Sequence, residues 1–144
     1  GGAIEPSVQP LELALTSGAT FVAQGFSSDI KELTAIIEAG INHKGFSFIN
    51  VFSPCVTYNK VNTYDWFKEH LTKLSAVEGY DSTNRDEAMK LVMETKGLVT
   101  GIIYQDENAP SYQEQVPGYA PTPLVDQNLK MSEQEFNALI QDFM

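Results

Sequence analysis

Two short apolar runs with an amphipathic segment between them dominate the first sixty residues. The run 19–25 carries aromatic and branched side chains, which favours a buried strand. A second run, 46–52, has the same character and ends at Ser53-Pro54, because proline cannot donate to a sheet ladder. The segment between them predicts a helix with one apolar face, carried by Ile30, Leu33, Ile36, Ile37 and Ile41.

The ends of this helix are also marked in the sequence. Asp29 precedes the apolar pattern and Glu32 follows three residues later, which predicts a reciprocal capping box. Gly45 ends the helix after His43 and Lys44, whose positive charge suits the negative end of the helix dipole. Strand, helix and strand in this order predict parallel strands with a right-handed crossover, and therefore an α/β fold with a parallel sheet flanked by helices.

Four further elements are predicted within residues 1–105. Pro10 starts a short helix over 11–17 that Gly18 ends. A helix is predicted over 63–74, with Trp66, Phe67 and Leu71 as its apolar positions. The next helix is capped by Ser82 or Thr83 and ends at Gly97, and residues 98–105 predict a third strand.

The last forty residues differ from the rest. Residues 106–131 hold four prolines and no regular period, which predicts an extended arm that leans on another part of an assembly. Ser132 with Glu135 three residues later starts a final helix. Its apolar stripe consists of Phe136, Leu139, Ile140 and Phe143. We therefore expect residues 1–144 to form a single domain or part of one, which includes the extended arm over 106–131 and the final helix.

Composition narrows the class of protein. A net charge of −10 argues against nucleic acid as a partner, because phosphate binding needs clustered Lys and Arg. No apolar run approaches the roughly 20 residues that cross a membrane. One cysteine excludes an internal disulfide and favours a cytoplasmic location. The chain begins Gly1-Gly2-Ala3 without Met, and we expect it to be a fragment of a longer protein.

Cys55 is the main candidate for chemistry. It follows a predicted buried strand, at the end where open α/β sheets place their ligands, although a lone cysteine is more often an inert small apolar residue. A nucleophilic cysteine would need His43 or His70 as its base, and both have simpler roles on helices. A zinc site would need four ligands, and an iron cluster would need partners elsewhere. No glycine-rich phosphate loop is present.

The run 45–59, Gly-Phe-Ser-Phe-Ile-Asn-Val-Phe-Ser-Pro-Cys-Val-Thr-Tyr-Asn, resembles the beta subunits of 2-oxoacid:ferredoxin oxidoreductases, particularly the 2-oxoglutarate and general 2-oxoacid types. The resemblance extends to residues 5–7, 18–23, 66–67 and 101–105. It implies the C-terminal half of a thiamine-diphosphate-binding fold. It also implies that Cys55 is one of four thiolate ligands of a 4Fe-4S cluster, the other three lying outside this chain.

The same resemblance implies an oxidoreductase that converts a 2-oxoacid and CoA to acyl-CoA, carbon dioxide and reduced ferredoxin, with an alpha subunit as its partner. Thiamine diphosphate, Mg²⁺ and the cluster are the implied cofactors. The Gly-Asp-Gly segment that anchors magnesium and diphosphate in the family is missing from residues 1–144, so we expect this chain alone to bind none of them and to be inactive. The alternative is a noncatalytic docking module of a larger complex, which uses the aromatic helix around Trp66 and the proline-containing arm.

Overall fold

The computed structural model describes residues 4–5, 7–128, 130–141 and 143, and divides the chain into two units, residues 1–112 and 113–144. The α-helices are α1 (Pro10–Thr16), α2 (Ile30–Asn42), α3 (Tyr64–His70), α4 (Arg85–Glu94), α5 (Tyr112–Gln115) and α6 (Glu133–Gln141). The strands are β1 (Phe21–Phe26), β2 (Ser47–Phe52), β3 (Thr72–Lys73) and β4 (Val99–Gln105).

The four strands form one sheet in the order β2-β1-β4-β3. β1 and β2 pair in parallel from Phe21 opposite Ser47 to Phe26 opposite Phe52, as the strand-helix-strand pattern predicts. The α/β class is thus confirmed. The prediction of a parallel sheet is wrong, because β4 runs antiparallel to β1. β3, α4 and β4 form a second parallel unit, whose strands run in the opposite direction to β1 and β2. The sequence does not predict this reversal, because an apolar strand pattern indicates burial but not direction.

The apolar core lies on both faces of the sheet. On one face α1 and α4 pack on the strands, with Leu15, Val22, Val92 and Ile103 all at most 1% exposed. On the other face Ile36 of α2 packs against Phe21 and Ala23 of β1. Alternate residues of β1 therefore serve opposite faces, as the geometry of a strand requires.

The apolar face of α2 is rotated from the one that the sequence predicts. Ile36 is 3% exposed, whereas Ile30 and Ile41 are 73% and 77% exposed and Ile37 is 41% exposed. Gly40 is the reason: a Cβ built there would lie 2.7 Å from Ile49 Cδ1, so the helix backbone comes closest to the sheet at its smallest residue. The larger branched side chains are turned toward the outside.

The capping box predicted for α2 is half formed. Asp29 accepts a hydrogen bond from the Glu32 amide at 3.1 Å. The Asp29 amide donates to the Phe26 carbonyl instead, and Glu32 Oε2 has no partner. The helix start is therefore predicted correctly, but the Glu32 side chain has a different environment.

Two other helix ends differ from the sequence prediction. α4 is capped by Asn84, whose Oδ1 accepts from the amides of the next helical turn. Ser82 is not the cap of this helix, and its backbone carbonyl accepts a hydrogen bond from the Gln105 amide of β4. α3 ends at His70, and the residues expected to continue it form β3, a strand of two residues that is too short to show a period.

Residues 113–144 form the second unit. The predicted arm 106–131 crosses the boundary between the units, and its extended form stays a prediction. α6 has the complete capping box, since Ser132 and Glu135 each bond the other's backbone amide. Its predicted stripe is exposed, with Phe136 at 52% and Phe143 at 82%. Among the helices that the structure describes, none is long and apolar enough to cross a membrane.

Candidate functional site at the ends of the parallel strands

β1 and β2 end side by side, at Phe26 and Phe52, because they are parallel and in register. The loop after β2 carries Cys55, which is exposed and is a free cysteine. Its carbonyl accepts a hydrogen bond from the Asn59 amide at 2.9 Å, so the loop folds back into a turn just past the strand. The thiol is thus presented at the surface and is not packed among apolar side chains.

An aromatic cluster covers the same strand ends. Phe67 of α3 lies 5.7 Å from Phe26 and 4.8 Å from Phe52 between ring centroids. Trp66 meets Phe67 edge to face at 5.0 Å. Phe67 thus anchors α3 on the two strands, and Trp66 packs against Phe67 within the same helix.

The structure places the two histidines in roles that do not involve Cys55. His43 Nε2 is 2.9 Å from Thr20 Oγ1, and burial lowers the pKa of His43, opposed by the charge of Asp106. His43 is therefore neutral at pH 7 and does not serve as a positive charge at the end of α2. His70 stacks on Trp66 at 4.2 Å. Within the described part of the chain, no group of three or more His, Cys, Asp or Glu residues is placed to hold a metal ion.

A cavity of about 430 Å³ opens beside the first turn of α2. Its charged residues come from three parts of the chain: Lys31 lies on α2, Lys68 on α3 and Lys73 on β3. Asp29 and Glu32 supply negative charge. The remaining lining residues are Phe26, Ser28, Ile30, Leu71 and Thr100. The cavity lining thus combines apolar residues with three lysines and two carboxylates, and Lys68 is also paired with Asp65 at 3.4 Å.

Asp29 and Lys73 form an ion pair at the cavity. The hydrogen bond from Lys73 and then the Glu32 amide hold the pKa of Asp29 below its usual value. The same hydrogen bond to Asp29 raises the pKa of Lys73. Both groups are therefore charged over the whole neutral range, and the pair fastens β3 to the start of α2.

Three buried side-chain oxygens close to this region have no hydrogen-bond partner within the described residues: Ser27 Oγ, Glu32 Oε2 and Thr100 Oγ1. Ser27 directly follows β1, Glu32 lies in the first turn of α2, and Thr100 lies on β4, whose next residue pairs with β1. Buried polar atoms in native proteins are nearly always paired with protein or water. The buried side-chain oxygens that lack a hydrogen-bond partner therefore cluster around the carboxyl end of β1.

Sequence reasoning found Cys55 but missed this cavity. Lys73 and Asp29 are 44 residues apart, and Lys68 belongs to a different element again. No spacing in the sequence relates such positions, because they meet only through the order of the strands. The sequence pattern at Asp29 and Glu32 predicts a complete capping box, and only the structure reveals that Glu32 Oε2 has no partner.

The sequence of this chain matches one family of known proteins. The family described as the C-terminal region of the pyruvate ferredoxin oxidoreductase beta subunit matches residues 55–121. The 2-oxoacid:ferredoxin oxidoreductase subunit beta of Sulfolobus sp is 35% identical over 131 residues, which cover 84% of this chain and 43% of that protein. The corresponding subunit of Saccharolobus solfataricus is 31% identical over the same shares.

The chain belongs to the beta subunits of 2-oxoacid:ferredoxin oxidoreductases. A solved structure of the 2-oxoglutarate:ferredoxin oxidoreductase from Magnetococcus marinus, with 2-oxoglutarate, coenzyme A and succinyl-CoA bound, has a TM-score of 0.78 and 29% identity. The match covers 96% of this chain and 46% of that one. The chain therefore spans less than half the length of the relatives that it matches.

Proposed function

We propose that this chain acts as part of the beta subunit of a cytoplasmic 2-oxoacid:ferredoxin oxidoreductase. The complete enzyme would oxidise a 2-oxoacid with CoA and pass the electrons through a 4Fe-4S cluster to ferredoxin. The observation that carries the proposal is the exposed Cys55 thiol, held just past the end of a strand that pairs in parallel with the most buried strand of the sheet.

Cys55 fits the role of one cluster ligand. A ligand thiolate must reach a group that lies outside its own segment, and Cys55 is exposed on a loop turned by the Asn59 bond. Iron clusters of this class take four thiolates, and the chain has one cysteine, so three ligands would come from other polypeptide. The cluster, when bound, would supply one-electron transfer; the contribution of this chain is to position one sulfur.

The cavity beside α2 suits anionic substrates. A 2-oxoacid carries a carboxylate and CoA carries phosphates, and three lysines, Lys31, Lys68 and Lys73, line the cavity. The ammonium groups of Lys68 and Lys73 are also paired with Asp65 and Asp29. Ammonium groups bind carboxylate and phosphate through charge-assisted hydrogen bonds. We propose that the lysines here hold an anionic part of the 2-oxoacid or CoA. Thiamine diphosphate and Mg²⁺ would be held mainly by residues outside this chain.

The test is Cys55→Ser in the complete beta subunit that carries this region, assembled with its alpha subunit. Because serine is a poor ligand for iron, we expect loss of at least about half of the bound iron and of the visible absorption of the cluster, together with loss of ferredoxin reduction. Ser53→Ala, two residues away in the same loop, is the matched control and should keep its iron. Unchanged iron content and ferredoxin reduction in the Cys55 variant would rule out the ligand role.

The second candidate function is a noncatalytic docking module, and the exposed stripe of α6 favours it. Phe136, Leu139 and Ile140 lie on one helix and are 41–52% exposed, which is costly unless a partner covers them. We propose the alpha subunit as this partner. A mixture of this chain with the alpha subunit distinguishes the two functions: binding without cofactor uptake or turnover assigns docking to this region and catalysis to the complete enzyme.

A further inference from the structure

The loop that carries Cys55 runs over residues 53–63, between β2 and α3. Cys55 and the residues that follow it, 56–61, are all exposed. A segment with few buried contacts opens easily unless other bonds hold it. The conformation of this part of the loop therefore depends on hydrogen bonds and on how the ends of the loop are fixed.

Both ends of the loop are fixed on the sheet. The loop starts after Phe52, the last residue of β2. It ends at Thr63, which caps α3 because its Oγ1 accepts a hydrogen bond from the Trp66 amide at 3.4 Å. Phe67 of α3 packs on Phe52 with 4.8 Å between ring centroids, and so joins the two ends of the loop. The exposed middle of the loop, with Cys55, lies between these two anchored ends.

Asn59 forms hydrogen bonds with both halves of this exposed part. Its backbone amide donates to the Cys55 carbonyl at 2.9 Å. Its side-chain Oδ1 accepts from the amides of Val61 at 2.9 Å and Asn62 at 3.0 Å. An Asn side chain that accepts from amides two and three residues later fixes a turn of the backbone. Because Asn62 directly precedes the cap of α3, Asn59 connects Cys55 to a helix that is packed on the strands.

We infer that Asn59 is a positioning residue for the Cys55 thiolate, and that it acts by holding the backbone of Cys55 in place. Residues at a metal site must be held within about 0.5 Å of their productive geometry. Groups that orient a ligand change metal affinity by about 10–100-fold when they are removed. An exposed ligand loop has the greatest need of such a group. The inference rests on the proposed role of Cys55 as a cluster ligand.

The rate of iron release to a chelator, without oxygen, tests the inference in the complete beta subunit assembled with its alpha subunit. Asn59→Ala removes Oδ1 and should release iron at least about tenfold faster than the native enzyme. Asn59→Asp keeps an acceptor oxygen in the same place and should restore a rate close to the native one. Asn62→Ala, which keeps the amide that bonds Asn59, is the matched control and should release iron at the native rate. A native rate in Asn59→Ala would overturn the inference.

Two further measurements separate positioning from a general loss of stability. Because Asn59 is exposed, Asn59→Ala should change the Tm of the assembled subunits by less than about 2 °C. The electron paramagnetic resonance signal of the reduced cluster should broaden, since the thiolate then takes several positions. A larger loss of Tm, or fast iron release that Asn59→Asp does not restore, would contradict the positioning role. If Asn59→Ala does not assemble, Asn59→Gln replaces it, because the longer side chain moves the acceptor away from both amides.

Cys55→Ser, measured in the same series, distinguishes failure of this inference from failure of the proposed function. If Cys55→Ser loses iron and Asn59→Ala releases iron at the native rate, only the positioning role of Asn59 is wrong. If Cys55→Ser keeps its iron, the ligand role is wrong, and the positioning role fails with it because there is no ligand to position.

Discussion

β1 and β2 are both predicted from sequence as buried strands, yet the structure treats them differently. All six residues of β1 are buried, whereas none in β2 is. The difference comes from their places in the sheet: β1 lies between β2 and β4, and β2 has one strand neighbour. An apolar run therefore indicates how much burial a strand is suited to, and the order of strands decides how much it receives.

The largest expected effect on stability comes from shortening one apolar side chain in β1 and one in β2 and comparing the losses. Phe21 in β1 is fully buried, and Phe21→Ala should lower the free energy of unfolding by about 3–5 kcal/mol. Val51→Ala shortens a side chain of β2, at a residue that is 38% exposed, and should lower the free energy of unfolding by less than about 1 kcal/mol. Urea unfolding of the isolated chain measures both. Similar losses would mean that β2 is as well packed as β1.

An intermediate effect is expected where a polar side chain links the strands. Gln24 Nε2 donates to the carbonyls of Gly97 and Val99 at 2.7 Å each, and its Oε1 accepts from Asn50 Nδ2 at 2.6 Å. Gln24→Leu leaves three buried or half-buried partners unpaired and should cost about 1–3 kcal/mol. Asn50→Leu, on β2, breaks one of these bonds and should cost less. The reverse order would show that β2, not β1, organises the polar contact.

The smallest expected effect concerns β4, the other neighbour of β1, and is a change of stability with pH. The Tyr80 hydroxyl donates to the Ile103 carbonyl of β4, and burial, then the charges of Glu87 and Asp81, raise the pKa of Tyr80 to about 12. The folded form therefore keeps the phenol proton more tightly than the unfolded chain. This contribution to stability is full below pH 10 and is lost as the pH rises toward 12.

Tyr80→Phe checks this linkage. At neutral pH the variant should lose about 1 kcal/mol, the net value of one hydrogen bond. Between pH 10 and 12 the native chain should lose stability faster than the variant, since only the native chain has this phenol to ionise. Thermal unfolding across this range gives the comparison, and parallel pH profiles would refute the assigned cause.

Local sequence signals predicted several helix starts and ends in both units. Asp29 as a cap, Gly18, Gly45 and Gly97 as helix ends, and the Ser132–Glu135 capping box all depend on neighbours within a few residues. The exposed face of α2 and the direction of β4 were not predictable in this way. Both depend on contacts between distant segments, such as Gly40 against Ile49.

The same distinction between local and distant contacts explains which parts of the candidate site the sequence predicted. Cys55 was found because the position after a strand and the resemblance of its surrounding run both belong to one continuous stretch. The lysine-lined cavity was not found, because Lys31, Lys68 and Lys73 meet only in the folded sheet. The unpaired Thr100 hydroxyl was equally hidden, since nothing in a strand sequence shows whether a threonine will find a partner.

Arg85, the first residue of α4, donates to the carbonyls of Leu15 and Ala19 and lies 4.3 Å above the Tyr104 ring. It thus places a cation at the negative end of α1, a helix of seven residues. A helix this short does not persist in water on its own. The first helix of the chain must therefore wait for a residue 70 positions later, and we expect it to become ordered only after α4 has docked. If so, this helix would be synthesised before α4 but would become ordered after it.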